Sequence, residues 1–295
     1  MPIAFAIDPA QGLSEGDELD VVRRAAELGY DSAWTPSGAD AAAFDRCIRW
    51  HLASRLPVGI SVVPASGAPP AFYAGQALRA WEQTSGHFTL GVGSGRMRHA
   101  AAGMRAYLGE LRGMLPPDLP LYVAALGPLV LDVAGELADG VALNWSTPEQ
   151  VAWSRGRVTA TARKAGRAVP AVVEYIRTAV DPDADLARST VGRAVRGYAL
   201  GPGAYRKHFE RMGFAEELQR AAVAQDAGAD PAWSAEFLSA TSAWGRPGEV
   251  RAQVERLSRG LDLPIVRVLV TQTGDAASAR RVLEECAPEP GARPG

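Results

Sequence analysis

Residues 120–145 read PLYVAALGPLVLDVAGELADGVALNW, and this stretch decides the fold. Leu121–Ala125 is a short apolar run typical of a buried strand, and Val141–Trp145 is a second one. Between them, apolar residues recur at helical spacing: Val130, Val133, Ala134 and Leu137. The order strand, helix, strand is the repeating unit of an α/β fold with a parallel sheet.

The same alternation extends in both directions along the chain. Further apolar, branched runs predict strands at 3–7, 33–35, 57–64, 87–92, 172–180 and 265–270. Segments of helical period follow these runs. Eight strands, each followed by a helix, favour a (β/α)₈ TIM barrel over an open doubly wound sheet.

One long segment interrupts the alternation. Residues at about 186–244 are Ala-rich and helical in pattern, without a convincing strand, and predict a helical insertion before the last strand. A TIM barrel typically uses roughly 250 residues as one domain. We therefore expect a single barrel domain over 1–288, including the insertion, and a flexible tail at 289–295.

Composition restricts the class of protein. The 295 residues are 47% apolar with a net charge of −2, which indicates a globular chain and disfavours nucleic acid as a partner. No long apolar run or signal peptide is found, so we expect a cytoplasmic protein without a membrane partner. The two cysteines, Cys47 and Cys286, are interpreted as free thiols, and no metal site is expected.

In a TIM barrel the active site lies where the strands run into their following loops. Gly91–Gly95 follows strand four; its glycines suit either a cofactor loop or a tight turn. Ala124–Pro128 ends strand five and suits either a phosphate or ring cradle or an ordinary connection to the next helix. Ser61-Val62 and Asn144-Trp145 end strands three and six, although such a Trp also suits packing.

Strand seven carries charged residues. Alternation along 172–180 places Glu174 on one face and Tyr175 and Arg177 on the other. A charged side chain in a barrel strand needs a partner or a pocket.

Three segments together resemble a known family: Pro120–Trp145, Ala26–Trp34 and Gly86–Gly95. They look like the luciferase-like monooxygenase superfamily and, within it, the branch that uses the deazaflavin coenzyme F-420. The resemblance covers about residues 3–180 and, more loosely, 246–285. It implies a barrel that binds a flavin or deazaflavin at the carboxyl ends of its strands, a small-molecule substrate and a possible homodimer.

The resemblance also implies a set of cofactor-binding residues. A non-proline cis peptide at Ser61-Val62 would lie beneath the cofactor ring. The backbone of the strand-five loop would hold the phosphate or side chain of the cofactor. The residues included on these grounds are Ser37, Ser61, Val62, Gly93, Ser94, Gly95, Ala124, Ala125, Leu126, Gly127, Pro128, Asn144 and Trp145.

Two departures from the family bear on catalysis. After strand two the family often has Pro-Asp-His, whereas this chain has Pro36-Ser37-Gly38. Related sugar-phosphate dehydrogenases carry a Glu as general acid where this chain has Arg96, which cannot act as a tuned proton donor. The candidate donors that remain are Asp8, His99, Tyr122 and a bound water.

The favoured function is an oxidoreductase that transfers a hydride between coenzyme F-420 and a small organic substrate. The alternatives are a monooxygenase that depends on reduced FMN, and a degenerate barrel that binds ligand without turnover. The sequence does not identify the substrate or the direction of transfer.

Overall fold

The computed structural model describes residues 2–201 and 203–289. The strands are β1 (Ala4–Ala6), β2 (Ala33–Thr35), β3 (Val58–Pro64), β4 (Phe88–Gly93), β5 (Leu121–Ala124), β6 (Gly140–Asn144), β7 (Ala171–Val180), β8 (Ser242–Gly245) and β9 (Leu263–Val268). The helices are α1 (Glu15–Glu27), α2 (Ala42–Ser54), α3 (Pro70–Gln83), α4 (Ala100–Arg112), α5 (Pro128–Leu137), α6 (Pro148–Lys164), α7 (Ala184–Ala199), α8 (Ala204–Arg211), α9 (Ala215–Asp226), α10 (Ala235–Thr241), α11 (Arg251–Leu257) and α12 (Ala276–Glu285). Of the predicted tail at 289–295, residues 290–295 lie outside the described residues.

The first seven strands and β9 form a closed ring of parallel strands. Each strand from β1 to β6 pairs with the next one along the chain. Strand β9 closes the ring by pairing with both β7 and β1. The predicted (β/α)₈ TIM barrel is therefore confirmed.

The short strand β8 was not expected from the sequence. The prediction of helix without strand across 186–244 is wrong at its end, because Ser242–Gly245 pairs with Arg177–Val180 of β7. On β7, strand β6 pairs with Ala171–Tyr175 and no further, which leaves the carboxyl end of that edge of β7 free. Strand β8 occupies this free edge and adds to the sheet outside the ring.

Helix boundaries follow local capping chemistry. Helix α1 begins where the Ser14 hydroxyl accepts a hydrogen bond from the backbone N–H of Asp17. Thr147 caps α6 in the same way through Gln150, and Pro148 occupies the first helical position. These caps fix where each helix leaves the loop that follows a barrel strand.

Glycines make room for large aromatic side chains inside the barrel. The rings of Trp34 on β2 and Tyr122 on β5 lie with their centroids 5.9 Å apart. A Cβ atom on Gly59 would lie 2.5 Å from the Trp34 ring, and one on Gly140 would lie 2.5 Å from the Tyr122 ring. The rings of Trp34 and Tyr122 thus lie directly against the backbone of Gly59 and Gly140 inside the barrel.

The chain between β7 and β8 forms helices α7–α10, which confirms the predicted helical insertion. Buried aromatic residues of the insertion include Phe209, Trp233 and Phe237, which form an apolar cluster with Trp145 from the loop after β6. The assignment of residues 1–288 to one domain stays a prediction. In the described part of the chain, no helix combines the length and apolarity that a membrane crossing requires.

Candidate active site

The carboxyl end of β3 carries the cis peptide that the resemblance predicts. The bond between Ser61 and Val62 is cis, and both residues are partly exposed. A Cβ atom on Gly91 would lie 2.9 Å from Cγ1 of Val62, and one on Gly93 would lie 2.7 Å from its Cγ2. The glycines of β4 therefore leave room for the Val62 side chain.

The loop after β4 packs against the loop after β3. Gly95 has φ +58°, and a Cβ atom there would lie 2.5 Å from the Ser66 hydroxyl oxygen. That oxygen accepts a hydrogen bond from the backbone N–H of Arg96 at 3.0 Å. The sequence suggests that the backbone of this loop lies close to a cofactor. In the structure the backbone of Gly95 and Arg96 lies close to Ser66, in the loop after β3. The ligand contacts of Gly93, Ser94 and Gly95 stay predictions.

The loop after β5 leads into a helix with an open amino terminus. Gly127 is the N-cap residue of α5, and no side chain caps this helix. A Cβ atom on Gly127 would meet nothing within 4 Å. Arg211 of α8 reaches the same loop, where its Nη1 donates to the Leu126 carbonyl at 3.0 Å. Backbone N–H groups and a guanidinium therefore meet beside open space, which suits an anion.

At the carboxyl ends of β6 and β7, Arg177 organises a group of polar side chains. Arg177 is 2% exposed, and its Nη1 donates to Oδ1 of Asn144. Its Nη2 donates to the Tyr198 hydroxyl at 3.0 Å. The amide of Asn144 donates in turn to the Tyr205 hydroxyl. One guanidinium thus ties β6 and β7 to α7 and, through Asn144, to α8.

A second arginine stands beside the first. Arg267 of β9 is the register partner of Arg177 and forms an ion pair with Asp8, which follows β1. The other carboxylate oxygen of Asp8 accepts from the backbone N–H of Ala10 at 2.9 Å. The guanidinium of Arg267 also lies 5.1 Å from the Tyr175 ring centroid. We define the mouth cluster as Asp8, Asn144, Arg177, Tyr198, Tyr205 and Arg267.

Burial and mutual charge set the pKa values in the mouth cluster. Burial, assisted by the charge of Arg267, lowers the pKa of Arg177 to about 10. For Arg267, burial acts downward, but Tyr198 and Asp8 outweigh it and the pKa lies above its ordinary value. For Tyr198, burial acts upward, but the two arginines outweigh it and the pKa lies below its ordinary value. The two arginines of the mouth cluster therefore favour the negatively charged form of Tyr198.

Trp145 does not face the mouth as predicted for a cofactor contact. Its side chain is fully buried beneath the insertion helices, and its backbone has φ +56°. Its ring centroid lies 4.1 Å from Cζ of Arg177, and its carbonyl lies 3.0 Å from Nε2 of His208. The sequence shows that Trp145 follows a strand but not which way it turns. In the structure the Trp145 ring packs against the guanidinium of Arg177.

The three predicted proton donors are not brought together. The structure contradicts Tyr122, because this second residue of β5 lies at the amino end of the barrel, with Asp139 and Asp262 as its nearest charges. His99 is exposed at the start of α4 and makes no capping hydrogen bond. Both oxygens of Asp8 already accept hydrogen bonds. Ser37 is partly exposed after β2, where its hydroxyl donates to the carbonyl of its neighbour Gly38.

Sequence reasoning missed four members of this site: Tyr198, Tyr205, Arg211 and Arg267. The expectation that a charged residue of this strand needs a partner is confirmed for Arg177. The same reasoning applied to Arg267, a lone charge in an apolar strand, would have found it. The insertion helices that carry the other three residues show no motif in the sequence.

The fold and the site place this chain in a known class of protein. Residues 106–262 match the family model described as luciferase-like monooxygenase, which is more than half of the chain. The chain belongs to the luciferase-like monooxygenase family. Its matched range includes Pro120–Trp145, the segment on which the resemblance chiefly depends.

Individual relatives extend this assignment. A 5,10-methylenetetrahydromethanopterin reductase of Archaeoglobus fulgidus is 30% identical over 162 residues, which are 51% of this chain and 48% of the relative. The match thus spans about half of that relative's length. Among solved structures, a coenzyme F-420-dependent tetrahydromethanopterin reductase from Methanopyrus kandleri has a TM-score of 0.77 at 18% identity, covering 97% of this chain and 98% of that one. An F-420-dependent secondary alcohol dehydrogenase has a TM-score of 0.71 at 16% identity, covering 97% of this chain and 98% of that one.

Proposed function

We propose that this protein is an oxidoreductase that transfers a hydride between coenzyme F-420 and a small organic substrate. The relatives that resemble the chain in sequence include reductases of 5,10-methylenetetrahydromethanopterin. Coenzyme F-420 supplies the carbon that gives or takes the hydride when it is bound. The protein's contribution is to bind, orient and exclude water. A homodimer and a cytoplasmic location stay predictions.

The observation that carries the proposal is the open amino terminus of α5. A deazaflavin coenzyme is an anion, and it needs a place for its phosphate. Gly127 leaves this helix uncapped with open space before it, and Arg211 brings a positive charge to the same loop. Helix N–H groups bind phosphate without further side chains. The residues present therefore fit the anionic part of the coenzyme.

The rest of the mouth fits a planar ring and a substrate. Val62 on β3 and Arg177 on β7 approach from opposite sides, because β3 and β7 lie four strands apart in the ring of eight. Val62 offers an apolar surface to one side of a ring. The mouth cluster offers hydrogen-bond donors and positive charge to the other side. A small substrate would lie between the ring and that cluster.

The experiment that tests the phosphate assignment changes Gly127. Gly127 has φ −101° and ψ 159°, which an N-cap Ser or Asp also adopts, and its Cβ direction is open. Both Gly127→Ser and Gly127→Asp should therefore keep or slightly raise the stability of α5. Only Gly127→Asp places a negative charge where the phosphate would bind.

Binding of F-420 and of FMN is measured by fluorescence titration for wild type and both variants. Charged hydrogen bonds contribute about 1.5–3 kcal/mol each, so Gly127→Asp should raise the Kd for F-420 at least about tenfold. Gly127→Ser is the matched neutral control and should bind more tightly than Gly127→Asp. Equal binding by the two variants would refute the phosphate assignment. Tighter binding of FMN than of F-420 by wild type would favour the monooxygenase alternative.

A further inference from the structure

The proposed reaction needs a proton as well as a hydride, and the chain offers a donor that the sequence does not reveal. We propose that Tyr198 is the catalytic residue that gives this proton to the substrate, an inference that rests on the proposed function. Tyr198 lies near the end of α7 and is partly exposed. It reaches the mouth from the insertion, not from a barrel strand.

Packing and hydrogen bonding fix the orientation of Tyr198. Its hydroxyl oxygen accepts from Nη2 of Arg177 at 3.0 Å, and its ring lies 4.8 Å from Cζ of the same residue. The Tyr205 ring meets it edge to face at 4.7 Å between centroids, and the Trp145 ring lies at 5.7 Å. The hydroxyl therefore has one side occupied by a guanidinium and keeps its own proton available for another acceptor.

The charges that face Tyr198 favour loss of that proton. Arg177 and Arg267 contribute two positive charges, whereas Asp8 contributes one negative charge. Among the described residues, Tyr205 is a further titratable neighbour, and burial raises its pKa to about 12. A phenolate on Tyr198, together with Asp8, would balance the two positive charges of Arg177 and Arg267. Coulomb attraction at low dielectric makes such a balance favourable.

Tyr198 differs in this respect from every other tyrosine of the chain. The sequence contains seven tyrosines, and burial raises the pKa of the six others: Tyr30, Tyr73, Tyr107, Tyr122, Tyr175 and Tyr205. Only Tyr198 has its pKa below the ordinary value, because the two arginines outweigh its burial. A phenol with a lowered pKa gives up its proton more readily, which suits general acid catalysis.

The proton step balances as follows. When bound, reduced deazaflavin would supply the hydride, with its electron pair, that adds to one atom of a polarised double bond of the substrate. The π pair of that bond takes the proton of Tyr198, so the phenolic O–H bond breaks and a new bond to hydrogen forms on the substrate. The phenolate is held by Arg177 until solvent returns a proton. In the oxidative direction the phenolate accepts the proton instead.

The first test uses the protein without any cofactor. Phenolate formation is followed by ultraviolet difference absorbance during a pH titration of wild type, Tyr198→Phe and Tyr205→Phe. We expect the first phenolate of wild type to form below the ordinary tyrosine pKa of 10. This step should be lost in Tyr198→Phe and retained in the matched control Tyr205→Phe. A first step at or above the ordinary value, or one that persists in Tyr198→Phe, overturns the proposal.

The second test measures turnover with reduced F-420 and 5,10-methylenetetrahydromethanopterin as the probe substrate. General acid catalysis contributes about 10²- to 10⁴-fold, so kcat of Tyr198→Phe should fall by that factor while F-420 still binds. The wild-type reductive rate should also fall as the pH rises through the Tyr198 pKa, and the variant should lack this fall. Unchanged kcat with bound coenzyme overturns the role of Tyr198 and leaves the proposed function intact. Failure of wild type to bind F-420 overturns both.

Discussion

Gly140 provides a sharp test of how the barrel interior is packed. The change Gly140→Ala places a Cβ atom 2.5 Å from ring carbons of Tyr122, whereas carbon atoms in contact lie about 3.5–4.0 Å apart. The overlap is therefore at least about 1 Å. The Tyr122 ring has little space to retreat, because the Trp34 ring centroid is 5.9 Å away. Overpacking of this kind costs about 1–3 kcal/mol.

For a chain of this length, that cost corresponds to a fall in Tm of about 2–5 °C. The free energy of unfolding is measured by denaturant titration for Gly140→Ala, Tyr122→Ala and the double variant. Removing the Tyr122 ring removes the overlap, so adding the Gly140 methyl group to Tyr122→Ala should cost nothing further. Equal stability of Gly140→Ala and wild type, within about 0.5 kcal/mol, would refute the reasoning.

Gly156 is the matched control for this experiment. It lies in the middle of α6, is exposed, and a Cβ atom there meets nothing within 4 Å. Gly156→Ala should therefore stabilise the protein by about 0.5–1 kcal/mol through helix propensity. The same substitution thus has opposite effects at the two positions.

Two further predictions concern stability and pH, each measured as the free energy of unfolding across a pH series. Burial raises the pKa of Glu174 from 4.5 to about 8, so between these values the folded chain keeps a proton that the unfolded chain releases, and stability falls as pH rises. Glu174→Gln should remove that fall, and an identical slope in the variant would contradict it. Burial lowers the pKa of His208 from 6.5 to about 4. Between these values the unfolded chain binds a proton that the folded chain does not, so the free energy of unfolding falls as pH falls through this range. His208→Gln should lessen the acid loss; a curve parallel to wild type would show that His208 is not the source.

The barrel could be predicted from the sequence because its signal is repeated and local. Strand β2 spans Ala33–Thr35 as predicted, and the ring closes in chain order. Strand β8 escaped prediction because it has four residues and follows directly on α10. Its pairing partner is the end of β7, and such a pairing leaves no mark in local periodicity.

The site was less predictable, for reasons that differ from residue to residue. Alternation along β5 indicates that Tyr122 points inward, but not how far along the barrel axis it lies. The cis peptide at Ser61-Val62 was predicted and is confirmed, because the family resemblance located it in the chain. The pairing of Arg177 with Arg267 depends on the register of two strands far apart in sequence. No single-sequence pattern specifies that register.

Helix α8 connects two neighbouring strand ends at the barrel mouth. Tyr205, in its first turn, contacts Asn144, and Arg211, its last residue, contacts Leu126. These residues are six positions apart, about 9 Å along the helix axis. One short helix thus contacts both the loop after β5 and the end of β6. Loss of α8 would therefore remove contacts to both of these neighbouring strand ends at once.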